Sequence, residues 1–339
     1  MKIAHVMGPT HGGIRAHARM AAALQRADGQ AVAWLELGSA SGRGRLASLA
    51  RLGRLARRAD VIHAHGLKAG AAAVLAVRVA SWLRPGRPKP RLVVTLHNYP
   101  VGPFWVRAAA AVLVRVAARA DAVLAVSSDI ARWASGQGAR LVERALIPAP
   151  APGPSMVESG AIRADLGIPV GHFLIVTPAR LAPQKGLELL VAAAARLADR
   201  PLTWLVAGEG PLRPRLEAAI NQDHLPVRLI GHRSDLIELF RSADLVVSPS
   251  LSEGQPVALQ EAVLVGAAVL ATAVGGTAET LGDGGQLVAP TAEAVADGIA
   301  QLMDHPEQLE ALRRRARARA AELPTALDMA AQLKRIYAR

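Results

Sequence analysis

Short runs of apolar, often β-branched residues alternate with longer alanine- and arginine-rich stretches along almost all of this 339-residue sequence. Such runs predict buried strands, and the stretches between them have helical spacing. Strands that alternate with helices form βαβ units, a parallel sheet and right-handed crossovers. The predicted strands are residues 3–7, 31–37, 61–65, 91–97, 122–127 and 144–148, followed by 173–179, 202–210, 227–232, 244–250 and 267–274.

A proline-rich segment, residues 148–160, separates the two series of strands with four prolines and two glycines. A chain of this length suits two domains of about 150 residues each. We therefore predict an α/β fold of two doubly wound, Rossmann-like domains that hold ligands at the carboxyl ends of their strands. We expect a first domain in residues 1–150, a linker in 151–160, a second domain in 161–315, and a C-terminal helical segment in 316–339 that packs back on the first domain.

The sequence contains no cysteine, which excludes disulfides, thiolate nucleophiles and cysteine metal ligands. Its N-terminus lacks the pattern of a signal peptide. Its longest apolar runs are interrupted by arginine and are shorter than the roughly 20 residues that a spanning helix needs. We expect a cytoplasmic protein.

The net positive charge of the chain is confined to the first half of the sequence. Residues 1–150 hold 22 Lys and Arg against 6 Asp and Glu, whereas the remainder holds 18 against 21. Within that half, residues 43–58 and 103–119 predict basic amphipathic helices. Either the leucines of these helices pack on the sheet and the arginines are solvated, or the helices lie on an anionic leaflet. We expect peripheral association with the inner face of the cell membrane.

Two cations follow the first strand of the second domain, in the segment R-L-A-P-Q-K-G. Arg180 comes directly after the strand and Lys185 lies five residues further on. Cations at the carboxyl end of a strand suit a diphosphate leaving group, whose charge develops as its bond to a sugar breaks. The same two residues also fit solvated loop charges.

Two carboxylates lie on either side of the start of a predicted helix. Glu253 precedes the helix and Glu261 lies inside it, so the rise between them is roughly 12 Å if every step is helical. Paired carboxylates of glycosidases are about 5–9.5 Å apart. The spacing therefore favours one carboxylate that holds sugar hydroxyls and one that holds a ribose. Free N–H groups from Gly254 onward suit phosphate oxygens.

In the first domain, Gly12 and Gly13 close the first strand, where glycines allow a ligand to approach the backbone or simply form a tight turn. His97 ends a strand and fits either a binding site or a satisfied core position. The chain lacks a P-loop, a G-x-G-x-x-G turn and an Asp-x-Asp pair. His63 and His65 alone are too few ligands for a metal site without nearby carboxylate ligands, so we predict no metal site.

Taken in order, these motifs resemble the retaining nucleotide-sugar glycosyltransferases of family 4, which have the GT-B fold. The resemblance covers nearly the whole chain. Its motifs are H-G-G at Gly13, T-L-H-N at His97, R-L-A-P-Q-K-G from Arg180 to Lys185, A-G-E-G around Glu209, S-E-G-Q-P-V-A-L-Q-E-A from Glu253 to Glu261, and V-G-G-T-A-E from Val274 to Glu279.

The resemblance implies that the two domains face each other across a cleft and that the donor diphosphate contacts Gly12, Gly13, Arg180, Lys185 and Gly254. It implies catalytic positions beside the transferred sugar for His97 and Glu253. It further implies that the ribose and nucleotide are held by Glu261, Gly208, Glu209 and His232.

The implied activity is metal-independent transfer of a sugar, with retention, to a lipid-linked or cell-envelope saccharide. A UDP-sugar is the expected donor, ahead of a GDP-sugar, and no cofactor is expected. A GT-B sugar-nucleotide epimerase or hydrolase is an alternative. A non-catalytic protein that binds nucleic acid or membranes is another, although ten aromatic residues offer little stacking surface. We expect no nucleic-acid partner.

Overall fold

A computed structural model of the chain describes residues 1–9, 13–38, 42–86, 88–97, 103–155, 157 and 160–339. The backbone separates into two compact units. Unit 1 consists of Met1–Pro148 and Pro324–Arg339, and unit 2 consists of Ala149–Leu323. Within the residues that the structure describes, no helix is long and apolar enough to cross a membrane.

Unit 1 is built on a parallel sheet of six strands in the order β2-β1-β3-β4-β5-β6. The winding direction reverses between β1 and β3, and ligands of open parallel sheets bind beyond the carboxyl ends of the strands at such a point. The strands are β1 (Lys2–Met7), β2 (Ala31–Glu36), β3 (Val61–His65), β4 (Arg91–Leu96), β5 (Ala122–Ala125) and β6 (Val142–Arg144).

The longest helix of unit 1, α3 (Leu67–Leu83), packs closely on this sheet because its buried side chains are alanine, glycine and valine. Gly70, for example, faces Val94 of β4, and a Cβ at Gly70 would lie 2.7 Å from that side chain. The helices are α1 (Gly13–Ala27), α2 (Gly42–Leu55), α3 (Leu67–Leu83), α4 (Phe104–Ala117) and α5 (Ser128–Gly136).

Unit 2 contains a second parallel sheet, in the order β12-β11-β10-β7-β8-β9. This is the strand order of dinucleotide-binding Rossmann domains, and its switch point lies between β7 and β10. The strands are β7 (Phe173–Pro178), β8 (Leu202–Ala207), β9 (Val227–Gly231), β10 (Leu245–Ser248), β11 (Val269–Thr272) and β12 (Gln286–Val288).

Both faces of the second sheet are buried, as expected where helices cover a parallel sheet on both sides. Along β7, Ile175 packs in one core cluster, whereas its neighbours Leu174 and Val176 pack in another. The helices are α6 (Ala161–Asp165), α7 (Leu187–Arg196), α8 (Arg213–Gln222), α9 (Leu236–Ser242), α10 (Val257–Leu264), α11 (Thr277–Leu281), α12 (Ala292–Asp304) and α13 (Pro306–Ala320).

The last helix, α14 (Ala326–Ala338), belongs to unit 1. Its N-terminus is closed by a capping box in which Thr325 and Asp328 exchange hydrogen bonds. The Gln332 side chain accepts a hydrogen bond from the backbone N–H of Leu146 at 2.9 Å, and the Arg91 side chain donates one to the carbonyl of Ile336. The end of the chain thus forms part of the first unit.

Several boundaries differ from those expected. The units divide after Pro148 and after Leu323, so residues 316–323 lie in unit 2. The strand expected at 144–148 is Val142–Arg144, because the backbone beyond it bonds to α14 at Leu146. Strand β12 was not predicted, since three residues next to glycines are too few for a periodic pattern.

Candidate functional site

The two charged loops of unit 2 meet at the switch point of its sheet. Strands β7 and β10 are hydrogen-bonded neighbours, with Val176 in register with Val246. Arg180 follows β7 and Glu253 follows β10, so loops far apart in sequence leave adjacent strands at the same edge. This edge is where an open α/β sheet holds its ligand.

An ion pair joins these loops. The Lys185 Nζ donates a hydrogen bond to the Glu253 Oε1 at 2.5 Å, and the two side chains are 25% and 10% exposed. The Ser250 hydroxyl donates to the same oxygen at 2.6 Å. The other carboxylate oxygen, Oε2, has no hydrogen-bond partner among the described residues. One oxygen is therefore fixed while the second is available to a ligand.

Glycine backbones hold the two loops in contact. Gly186 has a φ of +61°, and a Cβ there would lie 1.9 Å from the carbonyl oxygen of Pro249. Gly275 has a φ of +50°, and its Cβ would lie 1.9 Å from the carbonyl oxygen of Glu253. Only glycine combines a positive φ with such close approach. These two positions therefore fix where the ion pair of Lys185 and Glu253 lies.

Arg180 and Glu261 have no side-chain partners among the described residues. The Arg180 side chain is exposed, and Glu261 lies partly buried in α10. Burial raises the pKa of the Glu261 carboxyl above its usual value. A carboxylate that has lost water without gaining a partner is costly, and carboxyls with a raised pKa are common at functional sites. Ligand hydroxyls would supply the missing donors.

The loop after β8 lies against the turn that carries Arg180. The backbone N–H of Gly208 donates to Gly231 at 2.7 Å, and a Cβ on Gly208 would lie 2.0 Å from the carbonyl oxygen of Ala179. The carbonyl of Glu209 accepts from the backbone N–H of Leu181 at 3.0 Å. This contact places the loop beside the first cation of the predicted site.

The Glu209 carboxylate forms an ion pair with Arg213, also of unit 2. Arg213 donates to it through Nε at 2.9 Å and through a terminal nitrogen at 3.0 Å. His232 is exposed directly after β9, and Gly254 lies in the loop that leads to α10. The predicted nucleotide positions Gly208, Glu209 and His232 thus directly follow β8 and β9, and Gly254 lies in the loop after β10.

In unit 1, Gly13 is the first residue of α1 and is exposed, while the predicted contact at Gly12 lies outside the described residues. His97 follows β4 and is only 7% exposed. Its ring packs against His17 and His65 at centroid distances of 5.3 and 5.8 Å. Burial lowers the pKa of His97 well below its usual value, so the ring is neutral.

Sequence reasoning missed Ser250 and Arg213. Three serines precede Glu253 at alternate positions, and nothing in their order shows which hydroxyl reaches the carboxylate. Gly275 belongs to the V-G-G-T-A-E motif, which by itself assigns no role to this glycine. Its close approach to Glu253 becomes visible only when the two loops lie side by side.

Comparison with known families and structures covers most of the chain. Residues 158–319 match the family profile "Glycosyl transferases group 1". Residues 4–150 match the profile "Glycosyl transferase 4-like domain". Together the two matches include every position of the predicted site.

Two curated relatives align over part of their length. The D-inositol 3-phosphate glycosyltransferase of Arthrobacter sp. (strain FB24) is 38% identical over 136 residues, which are 36% of this chain and 31% of that protein. The putative teichuronic acid biosynthesis glycosyltransferase TuaC of Bacillus subtilis (strain 168) is 29% identical over 248 residues, 71% of this chain and 60% of that protein. The chain therefore spans less than two thirds of the length of either relative.

Solved structures agree over the whole length. Anabaena Alr3699/HepE, in its complex with UDP-glucose, has a TM-score of 0.84 at 21% identity and covers 100% of this chain and 99% of its own. That likeness shows the fold. The chain belongs to the group 1 glycosyl transferases, the retaining family 4 enzymes with the GT-B fold.

Proposed function

We propose that this chain transfers a hexosyl group, with retention, from a UDP-sugar to a lipid-linked or cell-envelope saccharide. The observation that carries this proposal is the arrangement at the β7/β10 switch point, where Lys185 and Glu253 form an ion pair. Arg180, directly after β7, and Glu261, in α10, have no side-chain partners among the described residues. The UDP-glucose bound by Alr3699/HepE supports the donor class, and the teichuronic acid pathway named for TuaC supports the acceptor class.

Four side chains of the site have roles in binding the donor. Arg180 and Lys185 hold the diphosphate and neutralise the charge that develops on it. Glu261 accepts hydrogen bonds from the ribose hydroxyls, which relieves the cost of its burial. The open oxygen of Glu253 accepts from hydroxyls of the transferred sugar.

The reaction exchanges one bond at the anomeric carbon for another. The bond to the diphosphate oxygen breaks, and a bond to an acceptor hydroxyl oxygen forms on the same face of the sugar. The proton of that hydroxyl moves to the departing diphosphate, and UDP leaves. The two side-chain cations supply the positive charge that this leaving group requires.

The test is turnover of the purified chain with UDP-, GDP- and ADP-glucose and a saccharide acceptor, each with and without EDTA. NMR of the product reports the anomeric configuration. We expect UDP release, a retained configuration and turnover that persists in EDTA. Inversion, or no turnover with any acceptor, contradicts the proposal. An epimerised UDP-sugar or free sugar formed without acceptor supports the epimerase or hydrolase alternative.

The membrane part of the proposal rests on an exposed face of α2, α3 and α4. Leu52 of α2 is buried, but Leu46 and Leu49 are 70% and 53% exposed, so these leucines do not all pack on the sheet. Helix α2 contacts α3, and α3 contacts α4. The exposed apolar side chains of this face are Leu46, Leu49, Leu75, Val79, Trp82, Leu83, Phe104, Trp105 and Val112.

Exposed arginines lie on the same helices, among them Arg51, Arg54, Arg78, Arg107 and Arg115. Apolar side chains bordered by cations fit an anionic lipid surface, where each basic residue contributes about 1 kcal/mol. This surface supports a membrane-bound acceptor presented to unit 1.

Sedimentation with vesicles tests this surface. We expect the chain to bind phosphatidylglycerol vesicles and not phosphatidylcholine vesicles, and to lose binding in the double variant Trp82→Ser, Trp105→Ser. The control Val170→Ser changes a fully exposed apolar residue of unit 2 and should bind normally. Absence of binding to anionic vesicles contradicts the membrane role, and salt-sensitive binding to RNA supports the nucleic-acid alternative.

A further inference from the structure

Five histidines lie together at the β1/β3 switch point of unit 1: His5, His17, His63, His65 and His97, called here the histidine cluster. His5 of β1 is in register with His63 of β3, and His65 follows two residues later on the same face. His17 projects from α1, and His97 follows β4. All five are less than 10% exposed. Burial lowers the pKa of each ring, so all are neutral.

Two members of the histidine cluster have partners for both ring nitrogens, as a structural core requires. For His63, Nδ1 pairs with the Tyr337 hydroxyl and Nε2 pairs with the Thr95 hydroxyl, both at 2.7 Å. For His5, Nδ1 pairs with the His65 Nε2 at 2.9 Å and Nε2 pairs with the Gln25 Oε1 at 2.8 Å.

These hydrogen bonds determine the tautomer of His65. The Gln25 amide nitrogen donates to Tyr337 at 3.0 Å, so the Gln25 oxygen faces His5 and accepts from its Nε2. Neutral His5 must then accept through Nδ1, and the donor is the Nε2–H of His65. The Nδ1 of His65 therefore carries a bare lone pair. It is buried and has no hydrogen-bond partner among the described residues.

Two further rings leave a buried nitrogen without a partner in the described part of the chain, His17 at Nδ1 and His97 at Nε2. One nitrogen from each of His17, His65 and His97 lies within 4.8 Å of the other two. Zn–N bonds of about 2.0–2.1 Å place tetrahedral ligands about 3.4 Å apart. Small side-chain rotations, moving each nitrogen by less than about 1 Å, reach that spacing.

We propose that His17, His65 and His97 bind a divalent transition-metal ion, with Zn²⁺ as the reference ion. Neutral imidazoles suit Zn²⁺ and its first-row neighbours, and three of them leave a fourth position for water or an added ligand. Gln25 and His5 form the outer shell that orients His65, as partners of metal-bound histidines commonly do. The side-chain cations assigned to the donor diphosphate lie in unit 2, whereas His97 is also the residue that the family resemblance places beside the transferred sugar.

The first test is titration of the metal-stripped full chain with Co²⁺. We expect visible d–d absorption of four-coordinate intensity that saturates at one equivalent and is displaced by Zn²⁺. Zn²⁺ at about 100 times its dissociation constant should raise the melting temperature by about 5–10 °C. Absence of both signals means that the pocket holds only water, and overturns the proposal.

Variants then locate the site. His17→Leu removes one ligand and should weaken Co²⁺ binding by more than about 100-fold, beyond the 10–100-fold expected for losing an outer-shell partner. Gln25→Met is of similar size, releases the tautomer of His65, and should weaken binding by about 10–100-fold. His305→Ala, which removes an exposed histidine of unit 2, is the control and should bind normally. Binding of wild-type strength in His17→Leu overturns the assignment.

Discussion

The two units are both open, six-stranded parallel sheets, yet they gather different chemistry at their switch points. In unit 2, Lys185 and Glu253 form an ion pair that keeps some exposure to solvent. In unit 1, the histidine cluster is buried and neutral. The same position in the same class of sheet thus holds charges in one unit and lone pairs in the other.

The difference follows from residue type together with solvent access. In unit 2 a lysine and a carboxylate form an ion pair, and a cation is what a diphosphate requires. Burial instead disfavours the charged form of an imidazole, which leaves lone pairs that a hydrogen donor or a metal ion can use. Strand order determines where a site forms, and exposure determines what kind of ligand it suits.

The largest effect that tests this comparison is expected at Lys185. Lys185→Ala removes one diphosphate cation and leaves the Glu253 carboxylate without its ion-pair partner. We expect kcat/KM for a UDP-sugar to fall by about 10²–10³-fold, as for removal of other groups that stabilise developing charge. Lys89→Ala, which breaks an exposed pair with Asp121, is the matched control. Normal kinetics in Lys185→Ala would contradict the assignment of this ion pair to donor binding in unit 2.

The second effect concerns backbone geometry. Gly275→Ala places a Cβ 1.9 Å from the carbonyl oxygen of Glu253, so the loop that carries Glu253 must shift. We expect kcat to fall by about 10²-fold, since a displacement near 1 Å has that cost. Gly167→Ala is the control, because Gly167 has a similar φ of +57° but nothing within 4 Å of its Cβ. Equal losses in both variants would indicate backbone strain alone.

The third effect is a difference between the two units in how their stability depends on pH. Burial lowers the folded-state pKa of His5 and His17 from 6.5 to about 4, so the unfolded chain binds more protons at mildly acidic pH. The stability from these neutral rings is full above pH 6.5 and is lost as the pH falls toward 4. Each proton contributes about 1.4 kcal/mol per pH unit. Hydrogen exchange in EDTA, corrected for intrinsic rates, should show unit 1 losing protection first. Equal losses in both units contradict the comparison.

The smallest effect is expected at Glu261. Its raised pKa means that the ionised carboxylate opposes folding at neutral pH, because the folded state holds the proton more firmly than the unfolded chain. Glu261→Gln should therefore slightly raise the melting temperature at pH 8 and leave it unchanged at pH 3, while KM for the UDP-sugar increases. A lower melting temperature at pH 8 would show that the carboxylate has a stabilising partner.

Much of the fold could be predicted because the strands of a parallel sheet are short apolar runs that glycine and proline separate from the helices. The family resemblance likewise placed Arg180, Lys185, Glu253 and Glu261 in one site, and the structure joins the middle two directly. The three-residue strand β12 was too short to show a pattern. The role of Ser250 could not be predicted, because nothing in the sequence distinguishes it from Ser248 and Ser252.

Local order along the chain therefore established the strands, the basic first half and the succession of glycine and charged motifs. Contacts between distant segments depend on strand order and on how the chain ends. Lys185 reaches Glu253 across 68 residues because β7 and β10 are neighbours. Tyr337 reaches His63 across 274 residues because α14 returns to unit 1. Burial, and with it the protonation of the histidine cluster, arises only when those segments pack together, since the pKa of a side chain depends on how much water its neighbours exclude.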